Sequence, residues 1–379
     1  MPQKSKPLAV YDLVILGAGI NGTGIALEAR RHKLRVLILE KGEVATGTSS
    51  RSSRLIHGGL RYLETFDFHL VHEALRDREY LARRYPHLVH LIPFYLPVYD
   101  FNWRPPWMIR AGLGLYDLLS GRAPGAGHGR LGARTFAKQF KALRSAGLRA
   151  VYHYLDGKTN DAALTRYLAA EFRHLKGRIW SHCPPTRISW DSEQFLIETR
   201  RGTVRSRYLI NATGPWVEEV NRRFAWPARY HLRPVSGVHL FFPGLLVPQA
   251  LLLQTSGRRI FFVIPEKEQE QTYVGTTERL ETGPMDEVRP RREDVLQLLR
   301  EVNRYLRPAH RLREENVIQT VIGVRPLVGT KGSLTTLSRD YKIDVHRRGK
   351  TSLIHIFGGK LTTFPSLARR VTKIILSKP

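Results

Sequence analysis

Tyr11-Asp12-Leu13-Val14-Ile15-Leu16-Gly17-Ala18-Gly19-Ile20-Asn21-Gly22 is the stretch that decides the fold. An apolar strand runs into a Gly-x-Gly-x-x-Gly turn, which opens a helix carrying apolar Ile20, Ile25, Ala26 and Ala29. A second apolar run, Val36–Leu39, ends at Glu40, about twenty residues further on. Strand, glycine turn, helix, strand and acid in that order predict a βαβ unit that holds a dinucleotide. Gly17 permits the tight turn, Gly19 lets backbone N–H groups approach a pyrophosphate, and Gly22 lets helix and strand pack closely. The helix N-terminus offers partial positive charge to phosphates. Glu40, followed by Lys41, is placed to accept a hydrogen bond from a ribose hydroxyl.

Two later glycine segments bear on which dinucleotide. Leu209-Ile210-Asn211-Ala212-Thr213-Gly214-Pro215-Trp216 leads an apolar strand into a turn, and Phe357-Gly358-Gly359-Lys360-Leu361-Thr362-Thr363 repeats the device before a final helix. Three glycine turns so far apart suit one extended FAD, whereas an NAD enzyme more often keeps its fingerprint in one contiguous domain. The spacing favours FAD without excluding NAD.

The chain has 379 residues, a prior for two domains or for one large α/β domain with an insertion. With 42% hydrophobic and 25% charged residues it is globular rather than disordered, and no apolar run approaches the ~20 residues that span a bilayer. The first residues, MPQKSKP, lack the apolar core of a secretory signal. Cys183 is the sole cysteine, which rules out an internal disulfide and a cysteine-based metal cluster; we expect no metal. An inert thiol in a reduced, cytoplasmic setting fits. Against 33 acids stand 61 Lys and Arg, formally +28, a field that draws anions: phosphorylated metabolites, acidic lipids or nucleic acid. No nucleic-acid fold or stacking motif accompanies it, so nucleic acid is not expected.

Periodicity predicts helices over Asp67 to about Tyr85, Asp161–Leu175, Arg292–Leu306 and from about Phe364. Strands are predicted at Phe195–Thr199, Val204–Asn211, Val238–Phe242, Ile260–Ile264, Thr272–Gly275, Lys342–Val345 and Ser352–Phe357, with Gly121–Gly132 as loop. The fold class is α/β. A Rossmann-like FAD domain of the glutathione-reductase or D-amino-acid-oxidase type, over 8–80, 150–222 and 335–379, is interleaved with an antiparallel-sheet substrate domain over 81–149 and 223–334.

The segment Thr48-Ser49-Ser50-Arg51-Ser52-Ser53-Arg54-Leu55-Ile56-His57-Gly58-Gly59-Leu60-Arg61-Tyr62-Leu63-Glu64 closely resembles the FAD-dependent glycerol-3-phosphate dehydrogenases. The GAGING turn, INATGPW, Gly323-Val324-Arg325-Pro326-Leu327, Ser338-Arg339-Asp340-Tyr341 and FGGKLTT follow in that family's order. The resemblance implies oxidation of sn-glycerol 3-phosphate to dihydroxyacetone phosphate, with electrons passed to membrane quinone. It implies that Thr48, Ser49, Ser50, Gly58 and Gly59 lie near the flavin. Gly17, Gly19, Asn21, Gly22, Glu40, Lys41, His57, Ala212, Thr213, Gly214, Gly358, Gly359, Lys360, Leu361, Thr362 and Thr363 complete the expected FAD contacts. Arg61, Tyr62, Arg325, Lys360, Thr363 and His239 would surround the substrate.

Chemistry points to the same residues. Removing a hydride from a secondary alcohol needs a proton acceptor, and His57, flanked by glycines that admit the cofactor, is the natural base. Arg325 would hold the developing alkoxide while Arg61 and Lys360 fix the phosphate. There are departures: the family's Lys-Gly-Ser-His reads Ser236-Gly237-Val238-His239, Asp-Ala-Arg-Leu reads Asp161-Ala162-Ala163-Leu164, and Gly-Thr-Thr-Asp reads Gly275-Thr276-Thr277-Glu278. The dehydrogenases also continue into a helical domain beyond the point matching Pro379. The alternative is a degenerate FAD-binding paralogue with an altered substrate, a hydroxy acid or amine, or with a non-catalytic membrane-associated role. Trp103-Arg104-Pro105-Pro106-Trp107-Met108-Ile109-Arg110 alternates aromatic, apolar and basic residues, as suits an anionic lipid interface on the cytoplasmic face of the inner membrane; an ordinary packed helix is the competing reading. An oligomer is possible.

Overall fold

The computed structural model describes residues 9–121, 127–329 and 340–377. Ser338 and Arg339, part of the expected loop at Gly121–Gly132, and the MPQKSKP segment lie outside them.

Among the described residues, the first sheet has eight strands. Its centre is five parallel strands, in the order Arg178–Trp180, Val36–Leu39, Ala9–Leu16, Gly202–Asn211 and Thr351–Phe357. Alternation along these strands sorts their side chains. Leu13, Ile15, Ile38, Ile210 and Ile354 face the helices Ile20–Arg31, Asp161–His174 and Phe364–Leu376. Val14, Leu37, Leu209 and Leu353 face an antiparallel meander that supplies Phe195 and Ile197. Burying both faces explains why these strands read as near-continuous apolar runs.

The register places Leu16 opposite both Leu39 and Asn211, and Asn211 opposite His355. The turns after three neighbouring strands therefore emerge together at one sheet edge, where an open α/β sheet binds ligands. The first turn is tight. Gly17 has φ +99°, and a Cβ on it would lie 2.8 Å from the Ala212 carbonyl oxygen. A Cβ on Gly22 would lie 2.0 Å from the Gly17 carbonyl oxygen, so only a bare backbone lets the helix sit this close.

Among the described residues the second sheet has ten strands and is antiparallel apart from the pairing of Ala250–Gln254 with Val89–Tyr99. One face packs on the helix Arg292–Asn303 through Leu298, Leu299 and Val302. The other packs on the helices Phe68–Arg84 and Pro106–Ser120 through Val71, Leu75, Ile109, Leu113 and Tyr116.

Several strands correct the sequence reading. Leu148–Thr159 and Leu55–Ile56 pair within the ten-stranded sheet, so the boundary expected at 150 cuts a strand that belongs to the other sheet. The strand at Val238–Phe242 extends over Leu232–Pro243, because Gln319–Val328 pairs along nearly all of it. Within the expected Gly121–Gly132 loop, Gly129–Arg130 is a short strand on His153 and Tyr152. The helix predicted to Leu306 ends at Asn303.

Gly22→Ala tests the close approach. Its methyl group has only backbone to displace, so we expect a loss of about 2 kcal/mol or more of stability, read from denaturant melts.

Candidate active site

The sheet edge opens into a cavity of about 760 Å³. Gly17, Gly19 and Asn21 from the first turn, Ala212–Gly214 from the second and Gly358–Leu361 from the third all line it. Glu40 caps the strand Val36–Leu39 at its inner wall. Its Oε2 accepts from the Ala18 amide at 2.6 Å and its Oε1 from the Gly42 amide at 2.9 Å. Each carboxylate oxygen keeps a second lone pair for a hydroxyl donor. Ser49 Oγ accepts the Ile20 amide at 2.9 Å, and Asn21 Nδ2 donates to the Gly358 carbonyl at 3.3 Å, tying the first turn to the third. Asn211 locks the second turn: its Oδ1 accepts from Thr213 Oγ1 at 2.6 Å, and its Nδ2 donates to Asn221 and Val217.

These residues fit FAD. The helix Ile20–Arg31 points its N-terminus at the cavity and has no acid in its first turn, so nothing there opposes a diphosphate. Trp216 lines the wall with a buried Nε1 that has no partner among the described residues, a donor waiting for an acceptor. Lys41 lies over the Trp216 ring at 4.0 Å and pairs with Asp286 at 2.8 Å. Both Lys41 and Asp286 line the cavity, so the pair joins the two halves of its mouth.

Not every expected cofactor contact faces this space. Thr48 lines it while donating its hydroxyl to the Val324 carbonyl at 2.7 Å. Ser50 turns away, giving its Oγ to the Gly47 carbonyl at 3.1 Å. Gly22 packs behind the turn, and His57, Gly58, Gly59, Thr362 and Thr363 are not among the lining residues. Thr362 instead accepts the His57 amide on its Oγ1 at 3.0 Å, joining the His-Gly-Gly loop to the third turn.

Lys360 marks the passage from the cavity to a second group of residues. It lines the wall and holds its Nζ 3.9 Å from the centre of the Tyr62 ring. Beside Tyr62, Arg61 lies 3.7 Å from Glu278 Oε1, and Arg325 reaches the same oxygen at 3.4 Å. Arg259 approaches Oε2 at 3.8 Å. Arg325 Nη2 also donates to Thr276 Oγ1 at 2.8 Å, running over Gly237, where a Cβ would lie 2.3 Å away. Glu278, read from sequence only as a departure from Asp, is thus the carboxylate on which three arginines converge. No local signal could reveal this, since Arg61, Arg259 and Arg325 come from separate stretches of chain.

His239 joins the group from the same face of its strand as Gly237. It is buried, with Nε2 3.1 Å from Ser53 Oγ. Burial, reinforced by the Arg325 and Arg54 charges, pushes its pKa down to about 3, so the ring is neutral at physiological pH. Ser236 faces the other way and gives its hydroxyl to Glu281 at 2.5 Å. The lysine-to-serine departure therefore removes nothing from the Arg325 face. Ala163 lies in the first turn of the helix Asp161–His174, its amide donating to the Asn160 cap, while Asp161 holds the Ser52 amide at 2.8 Å.

The sign of the His239 contribution follows from its depressed pKa. Between pH 6.5 and 3 the unfolded chain binds a proton that the folded one does not, so stability falls on acidification. We expect a loss of about 2 kcal/mol between pH 8 and pH 5 from this group alone. His239→Gln should show a correspondingly shallower loss over that window in thermal melts.

Comparison with known proteins agrees with this geometry. Residues 12–374 match the family model of FAD dependent oxidoreductases. D-erythritol 1-phosphate dehydrogenase of Brucella abortus (strain 2308) is 35% identical over 95% of this chain and 72% of its own. The aerobic glycerol-3-phosphate dehydrogenase of Escherichia coli (strain K12) is 36% identical over 94% and 72%. The X-ray structure of the glycerol-3-phosphate dehydrogenase from Bacillus halodurans complexed with FAD superposes with a TM-score of 0.76 at 23% identity, covering 99% of this chain and 66% of that one. With a cavity that fits FAD and with these relatives, the chain belongs to the FAD-dependent oxidoreductases and, among them, to the FAD-dependent glycerol-3-phosphate dehydrogenase family.

Proposed function

We propose that this protein oxidises the secondary hydroxyl of sn-glycerol 3-phosphate, giving dihydroxyacetone phosphate. The observation that carries the reading is the group of cations, Lys360, Arg61 and Arg325, gathered where the third glycine turn meets the His-Gly-Gly loop. The relatives support it, since both curated enzymes are named for phosphorylated polyols. FAD, when bound, supplies the two-electron acceptor for the hydride.

In this reading Lys360 and Arg61 bind the phosphate, and Arg325, anchored on Thr276, stabilises negative charge growing on the reacting oxygen. Glu278 holds Arg61 and Arg325 beside the same oxygen, at 3.7 and 3.4 Å, and offsets part of their charge. Two histidines compete for the role of base. A ring with a pKa of about 3 is a poor proton acceptor at neutral pH, so His239 serves as a neutral hydrogen-bonding group. The hydroxyl proton then passes to the imidazole of His57. The eight-stranded sheet carries the cofactor turns and the ten-stranded sheet carries Arg325 and His239, with Glu278 in the connection between its strands Gln271–Gly275 and Arg279–Leu280. We assign the electrons to a quinone or similar acceptor.

No helix among the described residues is long and apolar enough to cross a membrane. We propose instead a peripheral contact through the helix Pro106–Ser120, whose outer face exposes Trp107 (72%) and Leu118 (77%) beside Arg110. Arg104 does not belong to this contact. It is buried, paired with Glu64, and lies 4.0 Å over the Trp103 ring.

Anaerobic mixing with sn-glycerol 3-phosphate should bleach the flavin band near ~450 nm, while glycerol should act far more weakly. Lys360→Ala should raise the half-saturating concentration by about tenfold or more, and His57→Ala should slow reduction by about a hundredfold. Equal reduction by glycerol would sink the phosphate assignment. For the membrane contact, the protein should pellet with phosphatidylglycerol vesicles at low salt, and Trp107→Ala with Leu118→Ser should weaken pelleting severalfold.

A further inference from the structure

Behind the His57–Gly59 loop lies a buried polar cluster that neither the cofactor cavity nor the arginine group uses. Tyr116, on the inner face of the helix Pro106–Ser120, is 2% exposed. Its hydroxyl oxygen accepts the Gly58 amide at 2.9 Å, an N–H that also reaches Asp156 Oδ1 at 3.3 Å, and its own proton goes to Asp156 Oδ1 at 2.9 Å. Arg78 donates its Nη1 to the same Asp156 oxygen at 2.8 Å and to the Leu155 carbonyl at 2.9 Å. Arg78 and Asp156 are as buried as Tyr116.

The direction of each bond is fixed. Burial, with the Asp156 charge beside it, pushes the Tyr116 hydroxyl well above the usual phenol range, so it stays protonated. With Arg78 donating to the carboxylate, the tyrosine proton is committed to Asp156 and an oxygen lone pair is left for Gly58. The backbone is pressed against this cluster: a Cβ on Gly58 would lie 2.5 Å from the Tyr116 oxygen and 2.4 Å from Leu75 Cδ2. One residue earlier, the His57 amide is held by Thr362. Two successive amides are therefore pinned from two different elements, and the Cα–Cβ direction of His57 is set between them.

A buried ion pair is a poor device for stability alone, because desolvation opposes it and apolar replacements often serve as well. It is a good device for holding one backbone group in one place, since buried hydrogen bonds that share partners have few alternative arrangements. We propose that Tyr116, oriented by Asp156 and Arg78, is a positioning residue for His57, acting through the Gly58 amide. This rests on the proposed role of His57 for its kinetic consequence, but the clamp itself is a property of the loop.

The test uses the FAD-loaded protein with Tyr116→Phe, which keeps the ring and removes only the hydroxyl. Tyr99→Phe is the control, removing another buried hydroxyl that donates to the Arg144 carbonyl at 2.7 Å, remote in sequence from the loop. Hydrogen exchange followed by mass spectrometry should show peptides covering His57–Tyr62 exchanging about tenfold faster in Tyr116→Phe, with Ile15–Ala26 unchanged and Tyr99→Phe silent. Flavin reduction at saturating sn-glycerol 3-phosphate should slow about tenfold while the half-saturating concentration stays within about twofold, the split expected when only the reacting geometry is lost. Asp156→Asn, which keeps an acceptor oxygen, should change both readouts in the same direction by less. Unchanged exchange in Tyr116→Phe overturns the clamp, and faster exchange with unchanged reduction overturns the positioning role. Should the wild-type flavin resist every polyol phosphate, the functional reading fails, and the exchange comparison still decides the clamp.

Discussion

The contact of the helix Ile20–Arg31 with the Gly17 carbonyl is the constraint on which the rest depends. At 2.0 Å from that oxygen, the position of a Cβ on Gly22 is forbidden space, so the helix approaches only because the side chain is absent. That closeness brings the helix N-terminus to the end of the strand Ala9–Leu16. Parallel pairing then carries the effect sideways. Leu16, Asn211 and His355 lie in register, which puts the second and third glycine turns beside the first. Single side chains tie the turns to each other and to the neighbouring loops: Asn21 to Gly358, Ser49 to Ile20, and Thr362 to the His57 loop.

Much of this was legible because it is local. A strand buried on both faces is a run of apolar residues, and a glycine turn with an acid at the following strand's end can be read without partners. Val36–Leu39 and Phe195–Thr199 have the bounds that periodicity gives them. The ten-stranded sheet was harder. Leu148–Thr159 mixes Arg, His, Asp and Lys into its alternation, and Val89–Tyr99 contains Pro93 and Pro97. Proline argues against a strand interior, yet these two are four residues apart and direct their missing N–H groups to the same edge. The cost falls on one side of the strand and leaves the other ladder intact.

The site divides along the same line. The flavin turns and the cations were visible as residue types within motifs. Their arrangement was not, because it depends on contacts between distant segments. Arg61, Arg259 and Arg325 meet on Glu278, and Tyr116 meets Gly58 from the helix Pro106–Ser120. Arg104 shows the reverse error: a cation in a tryptophan-rich segment suggested a lipid contact, but Glu64 holds it inside.

The Glu278 position also bears on the formal charge of +28. A large positive total says that anions are attracted, not where they bind. At the site the cations do not stand as an unopposed cluster, since Glu278 takes up part of the charge of three arginines. Glutamate in place of aspartate adds one methylene, which extends the reach of the carboxylate toward those groups. A phosphate arriving there would compete with a resident carboxylate for the same donors. Attraction at long range is set by the total charge, whereas selection at the site is set by how far the arriving anion outmatches Glu278. A dianion carries twice the charge of a carboxylate and more acceptor oxygens, so under the proposed function this arrangement would favour phosphorylated substrates over simple carboxylic acids.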